Sequence, residues 1–359
     1  MNMDWILECF PEYKVLVEFD NIETKEERQE IHELKERTNT QCMFCKKPFK
    51  FWGKKDTAHA VPECLGNKKL INFCECYECN HLFGEIAENH LGKFIMPYRI
   101  INETFGKGKY RNVVKDKSED DNLSYGTYRF EQKKNAPVFQ SKTFDVHNML
   151  IEKVGAMKLE MTKNGAKFSI PRQKYEPQMV YVSLLKIAYT LLPIAELPHY
   201  IKGIQNLYYY ISMNSFYDQD GNQTDKTASE DDRQNYINSL SNFGIEILQL
   251  NDLVKNGVNV CLLKSKKKHD IEPKLLFAIQ MKWCTIVIPI LSDDYVSGSI
   301  CKCTVAKSEN INARYLNFRE IEEEFICEMR ADIIEIPKEL YKELKEDLKK
   351  SNLIRKGNL

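Results

Sequence analysis

The sequence predicts an α+β protein in two parts, a compact cysteine-rich unit near the N-terminus and a larger mixed α+β domain after it. Three observations carry this expectation. Two Cys-x-x-Cys pairs, Cys42/Cys45 and Cys76/Cys79, enclose an insert spanning residues 46–75. The run "KDKSEDDNL" at 115–123 is a polar, charged break in the chain. Beyond that break, alternating and apolar runs of strand length mix with amphipathic helical patterns. The expected division is a helical lead-in at 1–41, a metal-stapled unit at 42–114, a linker at 115–123 and an α+β recognition or regulatory domain at 124–359.

The chain has 359 residues, 43% of them apolar, which is enough to bury a substantial core. Its 52 basic residues balance 52 acidic ones, so bulk charge does not draw it to nucleic acid, and any such contact has to be a local patch. Residues 41–112 provide one, with 12 Lys and Arg against 7 Asp and Glu. The N-terminus "MNMDWILECFPEYK" lacks a basic stretch followed by a long apolar one, so no signal peptide is expected. Apolar runs such as "CTIVIPIL" at 284–291 are too short for a bilayer and read as core strands, so no membrane partner is expected. Twelve cysteines without a secretion signal suit a reducing compartment, and a cytoplasmic location is expected.

The elements follow in order. In the lead-in, "IETKEERQEIHELKER" sets Ile31 and Leu34 at helical spacing in a charged frame, which predicts a solvated helix. Past the linker, "YGTYRFEQ", "MKLEMT" and "AKFSIP" alternate, and Asn164-Gly165 between the last two signals a hairpin. "PQMVYVSLLKIAYTLLP" at 177–193 is bounded by prolines, and Val180, Leu184, Ile187 and Leu191 mark the apolar face of a buried helix. "AELPHYIKGIQNLYYYIS" predicts a second helix. The polar stretch after it opens with Asp218, Asp220, Gly221 and Asn222 like a calcium loop, but its twelfth position is Ser229 instead of Glu, which argues against calcium. Three strands are expected at "VNVCLLK", "LLFAIQM" and "CTIVIPIL", and a closing amphipathic helix carries Leu340, Leu344 and Leu348 on one side. Cys261, Cys284, Cys301, Cys303 and Cys327 show no matching pairs and read as buried thiols.

Residues 42–84 hold six of the twelve cysteines. Each Cys-x-x-Cys pair can bend back so that both sulfurs reach one ion, and four thiolates give zinc a closed tetrahedral shell. Such a shell leaves no open position for water, so a zinc held by Cys42, Cys45, Cys76 and Cys79 staples the fold and does not catalyse. Cys64 and Cys74 fall outside the spacing and read as spare thiols. The insert itself is longer than a bare knuckle needs. It carries "DTAHAVPECLGN", with His59 at a strand end before Val61-Pro62, and Asn72 in a short apolar run. Asn80 opens a helical stretch, "NHLFGEIAENHL", directly after the second pair.

This order of His, Asn and Asn threaded through Cys-x-x-Cys pairs resembles the zinc-stabilised branch of the HNH endonuclease family. The matching pieces are Cys42/Cys45, "AHAVPECLGN", Asn72 and "CYECNHLFGEIAENHLG", with "PYRIINETFGKGK" similar to a downstream extension. The resemblance covers about residues 42–112. It implies a ββα-metal fold that grips a divalent cation and a scissile phosphate. It also implies His59 as the general base, Asn72 as the residue orienting the histidine loop and Asn80 as a ligand of the catalytic metal. Phosphodiester hydrolysis suits these roles, because a neutral imidazole can activate water and a hard cation can carry the developing charge. Oxygen ligands point to Mg²⁺ or Mn²⁺ for that ion. Many members have an acidic residue just before the first histidine, where this chain has Ala58. A carboxylate is then expected from Asp56, Glu85 or Glu88, with His81 and Glu85 at i and i+4 as an alternative pair.

The cluster "KKPFKFWGKK" interleaves Lys46, Lys47, Lys50, Lys54 and Lys55 with aromatics, as phosphate contact with some stacking requires. Arg99 is a further candidate to hold the scissile phosphate. The expected function is a metal-dependent HNH endonuclease acting on DNA, with RNA left open, in prokaryotic defence or restriction. A homodimer or a partner protein is expected to act through the C-terminal domain. The alternative is a catalytically inactive zinc module that binds nucleic acid or a protein.

Overall fold

Between 244 and 290 the strand-like runs are apolar on alternate and intervening positions alike, so no polar face remains to turn to water. Such strands are stable only when both faces of their sheet are covered. The computed structural model bears this out. It describes residues 4–23, 41–49, 58–102, 128–133, 136–141, 158–162, 165–171, 173–214, 244–250, 257–266, 273–281, 284–290, 311–317 and 324–330. The expected linker, the calcium-like loop, the charged helix of the lead-in and the closing helix lie outside these residues.

The chain divides into two compact units, residues 1–93 with 175–321, and residues 94–174 with 322–359. In the first, helix α1 (Asp4–Cys9) leads into strand β1 (Tyr13–Phe19). The lead-in was expected to be helical, but "YKVLVEF" is β-branched at alternate positions and pairs antiparallel with β9 (Asn259–Ser265). With β8 (Gly244–Leu250), β10 (Leu275–Gln280), β11 (Cys284–Ile290) and β12 (Ile311–Asn317), these strands form a six-stranded sheet in the order β1-β9-β10-β11-β8-β12. The three predicted strands are thus a meander, β9-β10-β11, with Ala278 opposite both Cys261 and Val287. Ile6, Cys9, Phe10 and Tyr13 pack with Leu248, Cys261, Leu263, Leu276, Ala278 and Val287 into one core cluster.

Helix α4 (Pro177–Thr190) starts at a proline whose fixed φ suits the first turn, and Pro193 follows its end. It packs against β10 and β11, and the Tyr181 hydroxyl donates to the Pro289 carbonyl oxygen at 2.9 Å. The helix is buried as expected, and on every side, since thirteen of its fourteen residues are buried, Lys186 among them. Tyr181 and Lys186 lie about 140° apart around the helix axis. A second layer therefore meets α4 away from the sheet. It is formed by α2 (Tyr77–Phe83), a π turn at Gly84–Glu88 and the start of α3 (Asn89–Asn102). The predicted helix after α4 is present as a 3-10 turn at Leu197–Tyr200 running into α5 (Ile201–Asn214). The short strands β2 (Ala58–His59) and β3 (Ile71–Asn72) pair antiparallel, with Ala58 opposite Asn72.

The second unit holds a hairpin of β4 (Tyr128–Lys133) and β5 (Ala136–Ser141) and a three-stranded sheet, β13-β7-β6. There β6 (Lys158–Thr162) and β7 (Gly165–Pro171) meet with Thr162 opposite Gly165, the hairpin that the Asn164-Gly165 pair predicted, and β13 (Glu324–Arg330) flanks β7.

Candidate metal centre and the histidine strand pair

The two cysteine pairs meet. The sulfurs of Cys42, Cys45, Cys76 and Cys79 all lie within 4.8 Å of one another. Zinc at ~2.3 Å from four tetrahedral sulfurs sets them about 3.8 Å apart, and the Cys45 and Cys76 sulfurs stand 3.7 Å apart. The backbone is shaped for this cluster. The Lys46 amide donates to the Cys42 carbonyl oxygen at 3.0 Å with Lys46 at φ +60°, which turns the chain back after the first pair. The Met43 amide donates to the Cys74 carbonyl oxygen at 2.8 Å and straps the first pair to the approach of the second. Backbone amides also point at sulfur, Cys76 N–H toward Cys42 and Cys79 N–H toward Cys76, each at 3.5 Å. The second contact makes Cys76 the N-cap of α2, so Asn80 lies inside that helix and does not open it.

Sulfurs this close cannot all carry charge without a cation. Thiol donation from Cys76 and Cys79 holds Cys42 far below the usual thiol range, at about 2. The same sharing, together with burial, pushes Cys76 and Cys79 far up. A central dication removes that conflict, and the donor set, the spacing and the amide contacts fit zinc. These four cysteines can hold a zinc ion. Cys64 and Cys74 are not part of the cluster, and Cys261 and Cys284 are buried thiols as expected. Cys301 and Cys303 lie outside the described residues, as does the side chain of Cys327. Beside the cluster, burial and the nearby thiolates push the Tyr208 hydroxyl on α5 up to about 12.

His59 ends β2 with its side chain 26% exposed. Its Nε2 lies 3.5 Å from a carboxylate oxygen of Glu63, one turn further on. The loop from Val61 to Leu70 is pinned by Asn67, which is fully buried. The Asn67 amide group donates to the carbonyl oxygens of Val61 at 2.7 Å and Leu70 at 2.9 Å. Its side-chain oxygen accepts from the amides of Lys69 at 3.0 Å and Leu70 at 2.8 Å. Asn72 does something else. Its side chain accepts from the Cys74 amide and donates to Glu75, both at 2.9 Å, which shapes the turn entering the second cysteine pair.

Glu75 and Lys186 are the residues that the sequence did not reveal. Both are buried, and Lys186 Nζ lies 2.9 Å from Glu75 and 2.8 Å from Glu88. Burial pushes the Glu75 carboxyl up to about 7 against the pull of the ammonium. Although burial disfavours its charge, the two carboxylates hold Lys186 above its ordinary value. Glu88, expected as a catalytic-metal ligand, is thus engaged by Lys186. His81 and Glu85 form the predicted i, i+4 contact at 3.1 Å, both exposed, with the His81 ring stacked on Tyr77. Asn80 is half-buried and Lys47 exposed. Lys50, Lys54, Lys55 and Asp56 lie outside the described residues, and Arg99 is on α3 with its side chain also outside them. Comparison with protein-family models, curated proteins and solved structures returns no match.

Proposed function

We propose that this chain is a zinc-stapled HNH-type endonuclease that hydrolyses phosphodiester bonds in DNA with a divalent cation, in prokaryotic defence or restriction. The observation that carries this reading is an antiparallel strand pair bearing His59, followed by a helix rooted in a four-sulfur cluster. His59 is accessible enough for water to reach it, and an imidazole can take a proton at neutral pH. The Glu63 carboxylate stabilises the imidazolium that this transfer creates, and Asn67 holds the loop that joins the two strands. A bound Mg²⁺ or Mn²⁺ supplies charge neutralisation at the phosphate. Asn80 and Asp56 are its expected oxygen donors, whereas Glu88 faces Lys186 and Glu85 faces His81.

That commitment of the two glutamates, with Ala58 buried where many HNH members have an acid, favours a second reading, a non-catalytic zinc module that binds nucleic acid or a protein. A nicking assay on supercoiled plasmid separates the two, with single-stranded DNA and RNA as parallel substrates. The parent is expected to cut with Mg²⁺ or Mn²⁺ and His59→Ala to lose at least ~10²-fold. Absence of cutting by the parent under any divalent cation rejects the nuclease reading.

A further inference from the structure

We infer that Lys186, reaching across from α4, is the positioning residue that holds the zinc knuckle and the His59 strand pair in register. The inference rests on the four-sulfur cluster and stands whether or not the chain cuts nucleic acid.

Although residues 41–112 are basic in sum, the carboxylates packed beneath the knuckle are negative. Glu75 directly precedes the ligand Cys76, and Glu88 lies on the π turn after α2. Zinc bound by four thiolates keeps two net negative charges. Lys186 reaches two carboxylates at once, with its Nζ 2.9 Å from Glu75 and 2.8 Å from Glu88, and it also lies 5.2 Å from the centre of the Phe83 ring. Its side chain is 1% exposed and that of Glu75 is fully buried, so water cannot stand in for either partner.

The geometry runs past the ion pairs. Lys186 meets Oε1 of Glu75, while the Asn72 amide donates to Oε2 of the same carboxylate. Asn72 also accepts from the Cys74 amide and sits opposite Ala58, the neighbour of His59. One carboxylate is therefore fixed at both oxygens, on one side by α4 and on the other by the strand that pairs with the histidine strand. Through Glu88 the same ammonium fixes the π turn. These contacts stand to the zinc as outer hydrogen-bond partners stand to a metal ligand, where substitution typically costs 10–100-fold in metal affinity.

The test measures zinc release to a chromogenic chelator from the full chain, with cobalt absorption bands as a second readout of sulfur geometry. Lys186→Met is expected to release zinc at least ~10-fold faster and to shift the cobalt bands. Lys186→Arg, which still reaches both carboxylates, restores release to within about threefold of the parent. Lys264→Met removes the ion pair with Glu196, which includes none of the four clustered cysteines and neither Glu75 nor Glu88, and leaves zinc release unchanged. Should Lys186→Met fail to fold, Glu88→Gln takes its place, because Glu88 is partly exposed and the change keeps its shape. It is expected to speed release about threefold. Release within twofold of the parent, from folded Lys186→Met or, failing that, from Glu88→Gln, overturns the inference. So does an equal effect from Lys264→Met, which would reduce the role of Lys186 to general stability.

Discussion

Asn67→Ala is the most informative single change in the histidine loop. An Asn side chain offers two donors and two acceptor sites, and all four are used within the loop, at 2.7, 2.9, 3.0 and 2.8 Å. At roughly 1 kcal/mol net for each neutral hydrogen bond, the four are worth about 4 kcal/mol. Solvent modulates this only in part. Val61 and Leu70 are fully buried, so the Val61 carbonyl and the Leu70 amide are left without water, whereas the Leu70 carbonyl keeps the Ala60 amide at 3.1 Å and the half-exposed Lys69 amide can be hydrated. The expected loss is about 3–4 kcal/mol, a large fraction of the usual stability of a domain.

Urea unfolding of the zinc-loaded chain measures the loss, and hydrogen exchange at the Leu70 amide locates it. Asn67→Asp separates hydrogen bonding from shape. Aspartate fills the same space but has no amide donors and sets an anion against two carbonyl oxygens, so it should cost as much as Ala or more. A loss below about 1 kcal/mol for Ala, or a harmless Asp, refutes the account of how this loop is held.

Four further outcomes are expected. Glu63→Gln should lower cleavage roughly fivefold, the rate equivalent of about 1 kcal/mol for a partly exposed ion pair; because a nearby carboxylate favours the imidazolium, its removal should move the acidic limb of the pH profile to lower pH. Metal analysis should find about one zinc per chain, and Cys76→Ser should lose it, since that change removes a thiolate ligand while its hydroxyl can still cap α2. His90 should titrate below 6.5 by NMR, because burial disfavours its charge and its Nδ1 accepts from the Glu176 amide at 2.8 Å; the sign follows, with its contribution to stability present above 6.5 and lost as pH falls through the lower folded value. A fragment of residues 41–114 should hold zinc more weakly than the full chain, as chelator competition would show, because it lacks Lys186 and leaves Glu75 without its cation.

The legible part of this molecule was the part written in local spacing. The Cys-x-x-Cys pairs, the meander β9-β10-β11, the proline-bounded helix and the β6-β7 hairpin each follow from residues that are neighbours in the chain. What escaped notice depends on partners far away. Strand β1 needs β9 beside it before "YKVLVEF" has anything to pair with. Asn67 follows Gly66 and reads as an ordinary turn residue; only its burial shows that all four of its hydrogen-bonding sites are used. A signal for Lys186 was present in "VSLLKIAYT", a lone cation in an otherwise apolar helix, because such a helix is buried and a buried ammonium requires carboxylates.

The distribution of charge explains why the knuckle is not self-sufficient. Spacing alone can gather four sulfurs, but the gathered thiolates and the adjacent Glu75 repel one another, and zinc cancels only part of that repulsion. A cation on the knuckle's own surface would be screened by water and worth little. Placed instead on a helix buried between the sheet and the cysteine layer, Lys186 acts at low dielectric, where the same charge counts for more and its direction is fixed by packing. The sheet thereby contributes to the metal centre without touching it. It buries one side of α4, and α4 presents the ammonium from the other.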